Sequence, residues 1–91
     1  LTRALAVELA PHGIQANCLV PGFFETDLAL GNTTPARRDE IRRRTPAERW
    51  GSPEELVGAA VFVASRASDF VTGTTLVVDG GYTIAERLLH E

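Results

Sequence analysis

The stretch Gly13-Ile-Gln-Ala-Asn-Cys-Leu-Val-Pro-Gly-Phe-Phe-Glu-Thr-Asp27 decides how the rest of the chain is read. Residues 14–20 form a short, mostly apolar run, bounded by Gly13 before it and Pro21-Gly22 after it. A strand covered on both faces by helices looks like this, because neither face has to carry polar side chains. Pro21 has no N–H for a strand ladder, and Gly22 can take backbone angles closed to other residues, so the strand is expected to stop at this pair. In open α/β sheets, ligands lie beyond the carboxyl ends of the strands. Residues 21–27 therefore fall where a ligand would be held.

On the amino-terminal side, Leu1, Ala4, Leu5, Glu8 and Leu9 recur at helical spacing, and Pro11 and Gly13 supply the stop, Gly13 as a left-handed cap. On the carboxyl side, residues 23–30 suit one or two helical turns capped by Thr26, and Gly31-Asn-Thr-Thr-Pro35 is loop chemistry. Residues 36–44 read as a surface helix with Asp39–Arg43 and Glu40–Arg44 in the favourable i,i+4 order. A connection as long as 23–51 reads as a substrate lid. Ser52-Pro53-Glu54-Glu55 then combines a hydroxyl cap, a first-turn proline and a capping-box glutamate. The helix it opens, 53–67, is apolar or small almost all round, so it is expected to pack on a sheet and on a second partner as well. A β-branched strand at 74–78 closes on Asp79-Gly80-Gly81, and the tail 82–91 is weakly amphipathic.

Helix, strand, lid, helix, strand makes an α/β arrangement in which the two strands are parallel and joined by a right-handed crossover. Two strands leave sheet edges and one face uncovered, so further strands are expected from elsewhere in a longer chain. The 91 residues contain no methionine and open inside a helical pattern, and we expect a carboxyl-terminal piece.

Composition narrows the function classes. There is no lysine, the nine basic residues are arginines, and the net charge is −3, which gives no general attraction to nucleic acid or an anionic membrane. A single cysteine, Cys18, excludes an internal disulfide and suits a reducing cytoplasm. No apolar run reaches membrane-spanning length, and no segment resembles a signal peptide.

No catalytic set is legible. His12 and His90 stand near opposite ends, and Cys18 reads as a packed, inert strand thiol. Glu25 and Asp27 suit a helix start, and no cysteine–histidine cluster has metal-ligand spacing. The arginines at 37, 38, 42, 43 and 44 read as a solvated lid face; in the functional version, one of them forks onto an anionic group of a substrate. Trp50 reads as a packing anchor for the end of the lid.

Leu1-Thr-Arg-Ala-Leu-Ala-Val-Glu-Leu-Ala10, the Pro21-Gly22 elbow with Phe23-Phe-Glu-Thr-Asp27, Arg49-Trp-Gly-Ser-Pro-Glu-Glu-Leu56, Ala67-Ser-Asp-Phe-Val-Thr-Gly73 and Val77-Val-Asp-Gly-Gly81 together resemble the carboxyl-terminal part of short-chain dehydrogenase/reductases. The likeness covers nearly the whole chain in order, only the tail after Tyr82 falling outside it. It is nearest the gluconate 5-dehydrogenase and 2-deoxygluconate 3-dehydrogenase branch, with acyl-carrier-protein ketoreductases as rivals. The resemblance implies the carboxyl-terminal part of one Rossmann-type domain over 1–91, a doubly wound parallel sheet incomplete by itself. It implies hydride transfer with NAD or NADP to a small-molecule substrate such as a sugar acid. The family's dinucleotide loop, catalytic serine and tyrosine–lysine pair would precede Leu1, so no catalytic residue and no activity are expected in this chain alone. Pro21 and Gly22 would wall the nicotinamide, the Phe24 main chain would bond its carboxamide, and Thr26 would reach the carboxamide or the diphosphate. Helix 53–67 and strand 74–78 would form a twofold interface in a homodimer or homotetramer. A non-catalytic oligomerisation module is the alternative from another class.

Overall fold

The computed structural model describes residues 1–89; positions 90 and 91, including His90 and the end of the tail, lie outside the described residues. The element order is α1 (Thr2–Leu9), β1 (Cys18–Pro21), α2 (Asp27–Gly31), α3 (Pro35–Arg44), α4 (Pro53–Ala64), β2 (Thr75–Val78) and α5 (Tyr82–Leu89). Short 3-10 turns follow α1 at Ala10–His12 and α4 at Arg66–Ser68. Gly13 ends the first of these turns at φ 73°, the left-handed cap its position suggested.

The two strands pair in parallel, Cys18 opposite Thr75 and Pro21 opposite Val78. The strand is shorter at its start than the apolar run implied and runs one residue further at its end. Residues 14–17 lie against the loop before β2 instead of a strand. There the Ala16 N–H donates to Thr72 Oγ1 (3.1 Å), the Gly73 N–H to the Ala16 carbonyl (2.8 Å), and the Asn17 side chain bonds both Val71 O and Thr74 N. Pro21 is accommodated because the ladder donors are Cys18 N–H, to Thr74 O, and Gly22 N–H, to Val78 O. Residue 21 has its nitrogen turned away from β2, where the missing donor costs nothing.

Coverage differs from expectation too. Cys18 and Leu19 are half-buried, and Val20 and Pro21 are exposed. A strand needs layers on both faces to be dry, and among the described residues α4 packs on β1 from one side.

Helix α4 starts as its sequence signals: Glu55 Oε1 accepts from the Ser52 N–H (2.9 Å), closing the capping box. It stops at Ala64, short of 67, because Ser65 turns to extended backbone and the Ser68 hydroxyl takes the carbonyls of Val63 and Ser65, both at 3.0 Å. Nothing in α4 is buried within this chain, and Val57 and Val61 are each 59 % exposed.

The buried apolar residues are Ala6, Phe24, Ile41 and Trp50, so the main core lies between the lid and the end of β1. Thr26 and Thr34 cap α2 and α3 by accepting from Ala29 N–H and Arg37 N–H. On α3, Asp39–Arg43 and Glu40–Arg44 pair as their spacing foretold. Arg44 also pairs with Glu86 and stands 6.0 Å from the centre of the Tyr82 ring, tying α5 to the end of the lid. The part of the tail described is thus a helix docked on α3.

Candidate functional site

Beyond Pro21 the chain leaves β2 and pairs with the returning end of the lid. Phe24 forms a parallel bridge with Gly51. The Gly51 N–H donates to Phe23 O (3.0 Å) and the Glu25 N–H to Gly51 O (2.9 Å). A Cβ at residue 51 would lie 2.5 Å from Phe24 Cε1, so the aromatic ring rests where only glycine leaves room. Bridge geometry uses the main-chain groups of residues 23 and 25 on one side, which turns those of Phe24 to the other. Among the described residues the Phe24 N–H makes no hydrogen bond, while its carbonyl accepts from Thr26 N–H (2.8 Å) and keeps a second lone pair.

The four sequence-derived site residues thus sit on one continuous stretch, Pro21 at the end of β1, Phe24 in the bridge and Thr26 at the cap of α2. Gly22 is glycine for a different reason from the one its sequence context suggested. Its φ is not positive; it is packed against Asp79, where a Cβ would come within 2.5 Å. The Thr26 hydroxyl spends one lone pair on Ala29 N–H (3.1 Å) and keeps its own hydrogen to donate. Phe24 itself is buried (7 % exposed), so its ring is a wall.

Trp50 anchors the lid as expected. It is buried, its indole N–H donates to Arg38 O (3.1 Å), and Phe23 stacks obliquely on it at 5.7 Å while meeting Tyr82 edge-on at 5.2 Å. Two openings flank this cluster. A cavity of about 100 Å³ lies between Phe24, Thr45, Val78 and Gly80. A groove of about 530 Å³ runs between the lid helices and Trp50, lined also by Glu25, Arg38 and Arg49. Arg49 forks onto Glu55, and this bond, with the Ser52 N–H, holds the Glu55 carboxyl at a pKa of about 2.

One contributor escaped the sequence reading. Asp79 reads there as turn chemistry, yet its carboxylate accepts from Gly81 N–H and Thr83 N–H, both at 2.9 Å, at the start of α5. Burial works to raise its pKa, and the N–H groups of Thr83, Gly81 and Tyr82 outweigh that and hold it below the usual value. The signal available was the Asp-x-Gly-x-Thr spacing, which places acceptors before a helix.

The family described as "Enoyl-(Acyl carrier protein) reductase" matches residues 1–83. The chain belongs to the short-chain dehydrogenase/reductase family. Among the relatives of this dehydrogenase/reductase chain, the 5-keto-D-gluconate 5-reductase of Escherichia coli (strain K12) is 51 % identical over 90 residues, covering 93 % of this chain and 34 % of that protein. The gluconate 5-dehydrogenase of Gluconobacter oxydans is 49 % identical over 86 residues, again 93 % and 34 %. Among solved structures, a gluconate 5-dehydrogenase from Burkholderia cenocepacia in complex with NADP and tartrate superposes with a TM-score of 0.81 at 54 % identity, covering 91 % of this chain and 33 % of that one. The two-stranded parallel unit therefore corresponds to the closing part of that family's Rossmann fold. The chain spans about a third of the length of the relatives it matches. Among the described residues no three His, Cys, Asp or Glu side chains group to hold a metal, and no helix is long and apolar enough to cross a membrane.

Proposed function

We propose that this chain is the carboxyl-terminal third of a cytoplasmic NAD(P)-dependent oxidoreductase that moves hydride between a nicotinamide and a secondary alcohol or ketone of a sugar acid. The observation that carries this reading is the main-chain N–H of Phe24, without a hydrogen bond among the described residues, two residues before the Thr26 hydroxyl and just past the carboxyl end of β1. A carboxamide has one acceptor and one donor group, and here a fixed donor and a carbonyl with a spare lone pair stand on one residue. The residues fit the cofactor on that ground. Phe24 would hold the carboxamide, Thr26 would donate to it or to the diphosphate, and Pro21 and Gly22 would wall the ring. The nicotinamide, when bound, supplies the hydride chemistry; these residues supply orientation, which sets the face that reacts. The serine and the tyrosine–lysine pair of the family would come from the preceding segment, so the chain alone would be inactive.

The gluconate-acting relatives support a sugar acid over an acyl thioester. The exposed Val57, Val61 and Phe62 of α4 support a subunit contact through α4 and β2. The test is steady-state kinetics of the full-length protein with gluconate or 5-ketogluconate and each nicotinamide cofactor. Turnover with one of them is expected, together with no NADH fluorescence enhancement by the 91-residue chain alone. Full-length protein that folds and turns over neither acid would overturn the proposal.

A further inference from the structure

We propose that the groove between the lid helices and Trp50 receives the carboxylate end of the substrate and that Arg38 is the cation that meets it; this rests on the oxidoreductase reading above. Three arginines line the groove, Arg38, Arg42 and Arg49. Two are already neutralised. Arg42 places Nε and Nη2 on Asp39 Oδ1 at 3.2 and 2.8 Å, and Arg49 forks onto Glu55 at 2.6 and 2.8 Å. Arg38 forms no ion pair among the described residues.

Its guanidinium is nevertheless held in place. Nη2 donates to Leu30 O at 2.7 Å, which ties α3 to the end of α2, and the Arg38 carbonyl accepts from the Trp50 indole. Nε is buried and has no hydrogen bond. A half-buried cation with no carboxylate in contact is unfavourable, and an anion brought into the groove supplies that contact. Because the side chain is already tied down at Leu30, little ordering remains to be done when that anion arrives.

The other walls define what accompanies the carboxylate. Glu25, which lines the groove, follows Phe24 directly, so the groove lies one residue from the main-chain N–H that makes no hydrogen bond among the described residues. The Asp39 carboxylate is held by Arg42 and Arg43, whereas that of Glu25 can accept from hydroxyls and repels a second anionic group. One carboxylate followed by a row of hydroxyls fits; a long acyl chain would offer Glu25 no donor.

The experiment is calorimetry on the full-length protein holding NADPH, which blocks oxidation, titrated with gluconate and with sorbitol, its neutral counterpart at the first carbon. In Arg38→Leu we expect gluconate to bind about tenfold to a hundredfold more weakly, the worth of a lost charged hydrogen bond, with sorbitol and NADPH binding unchanged. The KM for gluconate should rise while kcat stays within about threefold, as uniform binding predicts. Equal losses for gluconate and sorbitol, or no loss for gluconate, would overturn the assignment. Arg38→Gln and Arg38→Lys keep the test decisive should the leucine variant misfold. Both keep a donor and a polar side chain, and only the lysine is charged, so lysine should retain gluconate affinity and glutamine should lose it. Identical affinities would refute the role of charge. A wild-type protein that binds gluconate through Arg38 but turns over no sugar acid would instead defeat the oxidoreductase reading and leave the groove assignment standing.

Discussion

Gly22 packs against Asp79 where no side chain fits: a Cβ at residue 22 would stand 2.5 Å from the Asp79 Cβ and 2.7 Å from its Cα. The elbow after β1 and the turn after β2 are thereby locked together, with Gly22 N–H on Val78 O (2.8 Å) closing the ladder between them. Whatever binds past β1 rests on a segment that cannot shift without moving the start of α5.

Gly22→Val should therefore cost the full-length protein about 2–3 kcal/mol or more, since the obstacle is main chain and not a side chain that can swing aside. Gly31→Ala, at the end of α2 where nothing lies within 4 Å of the added carbon, is the control and should be neutral to stabilising by up to about 1 kcal/mol. Denaturant midpoints of the two variants check this. Equal shifts would mean that the contact with Asp79 does not constrain the elbow.

Thr26 has two roles that one substitution pair can separate. Thr26→Val removes both the cap on Ala29 N–H and the spare hydroxyl proton, at about 1 kcal/mol of stability for the cap. Thr26→Ser keeps both. Cofactor affinity measured by fluorescence quenching should fall in the valine variant and persist in the serine variant. Affinity that survives valine would show that the hydroxyl does not face the cofactor.

The Arg49–Glu55 pair sets a pH signature. The Glu55 pKa is lowered from 4.5 to about 2, first by the Arg49 hydrogen bond and then by the Ser52 N–H. A folded value below the unfolded one means stabilisation that is complete above about pH 5 and lost as pH falls toward 2. The melting-temperature gap between wild type and Glu55→Gln should be constant from about pH 7 to 5, close on acidification, and narrow in high salt. Both side chains are largely exposed, so the gap is small. A gap that persists at about pH 2 would contradict the ion pair as its source.

Val61 is 59 % exposed within the chain and sits on α4. Val61→Asp should leave the secondary structure intact while dissociating an assembly formed through this face. Sedimentation would show smaller particles and circular dichroism an unchanged spectrum. Unchanged particle size would argue against α4 as the subunit contact.

Much of this was written locally. The cap of α2 at Thr26, the capping box at Ser52, the left-handed Gly13 and the Asp39–Arg43 pair each depend on partners within a few residues, so spacing alone determined them. So did the parallel βαβ order, because apolar runs and breakers alternate in sequence. Tertiary structure decided what distant segments do to one another. Residues 14–17 were drawn out of the strand by the loop before β2, where Thr72 and Val71 bond Ala16 and Asn17 from more than fifty positions away. Gly22 owes its identity to Asp79, the Phe24 N–H lacks a hydrogen bond among the described residues while Gly51 pairs with its neighbours, and Arg38 lacks an ion pair there while Asp39 pairs with Arg42 and Arg43. A sequence states which groups are present and near in the chain; which donors and charges remain unspent depends on contacts that exist only once the chain has folded.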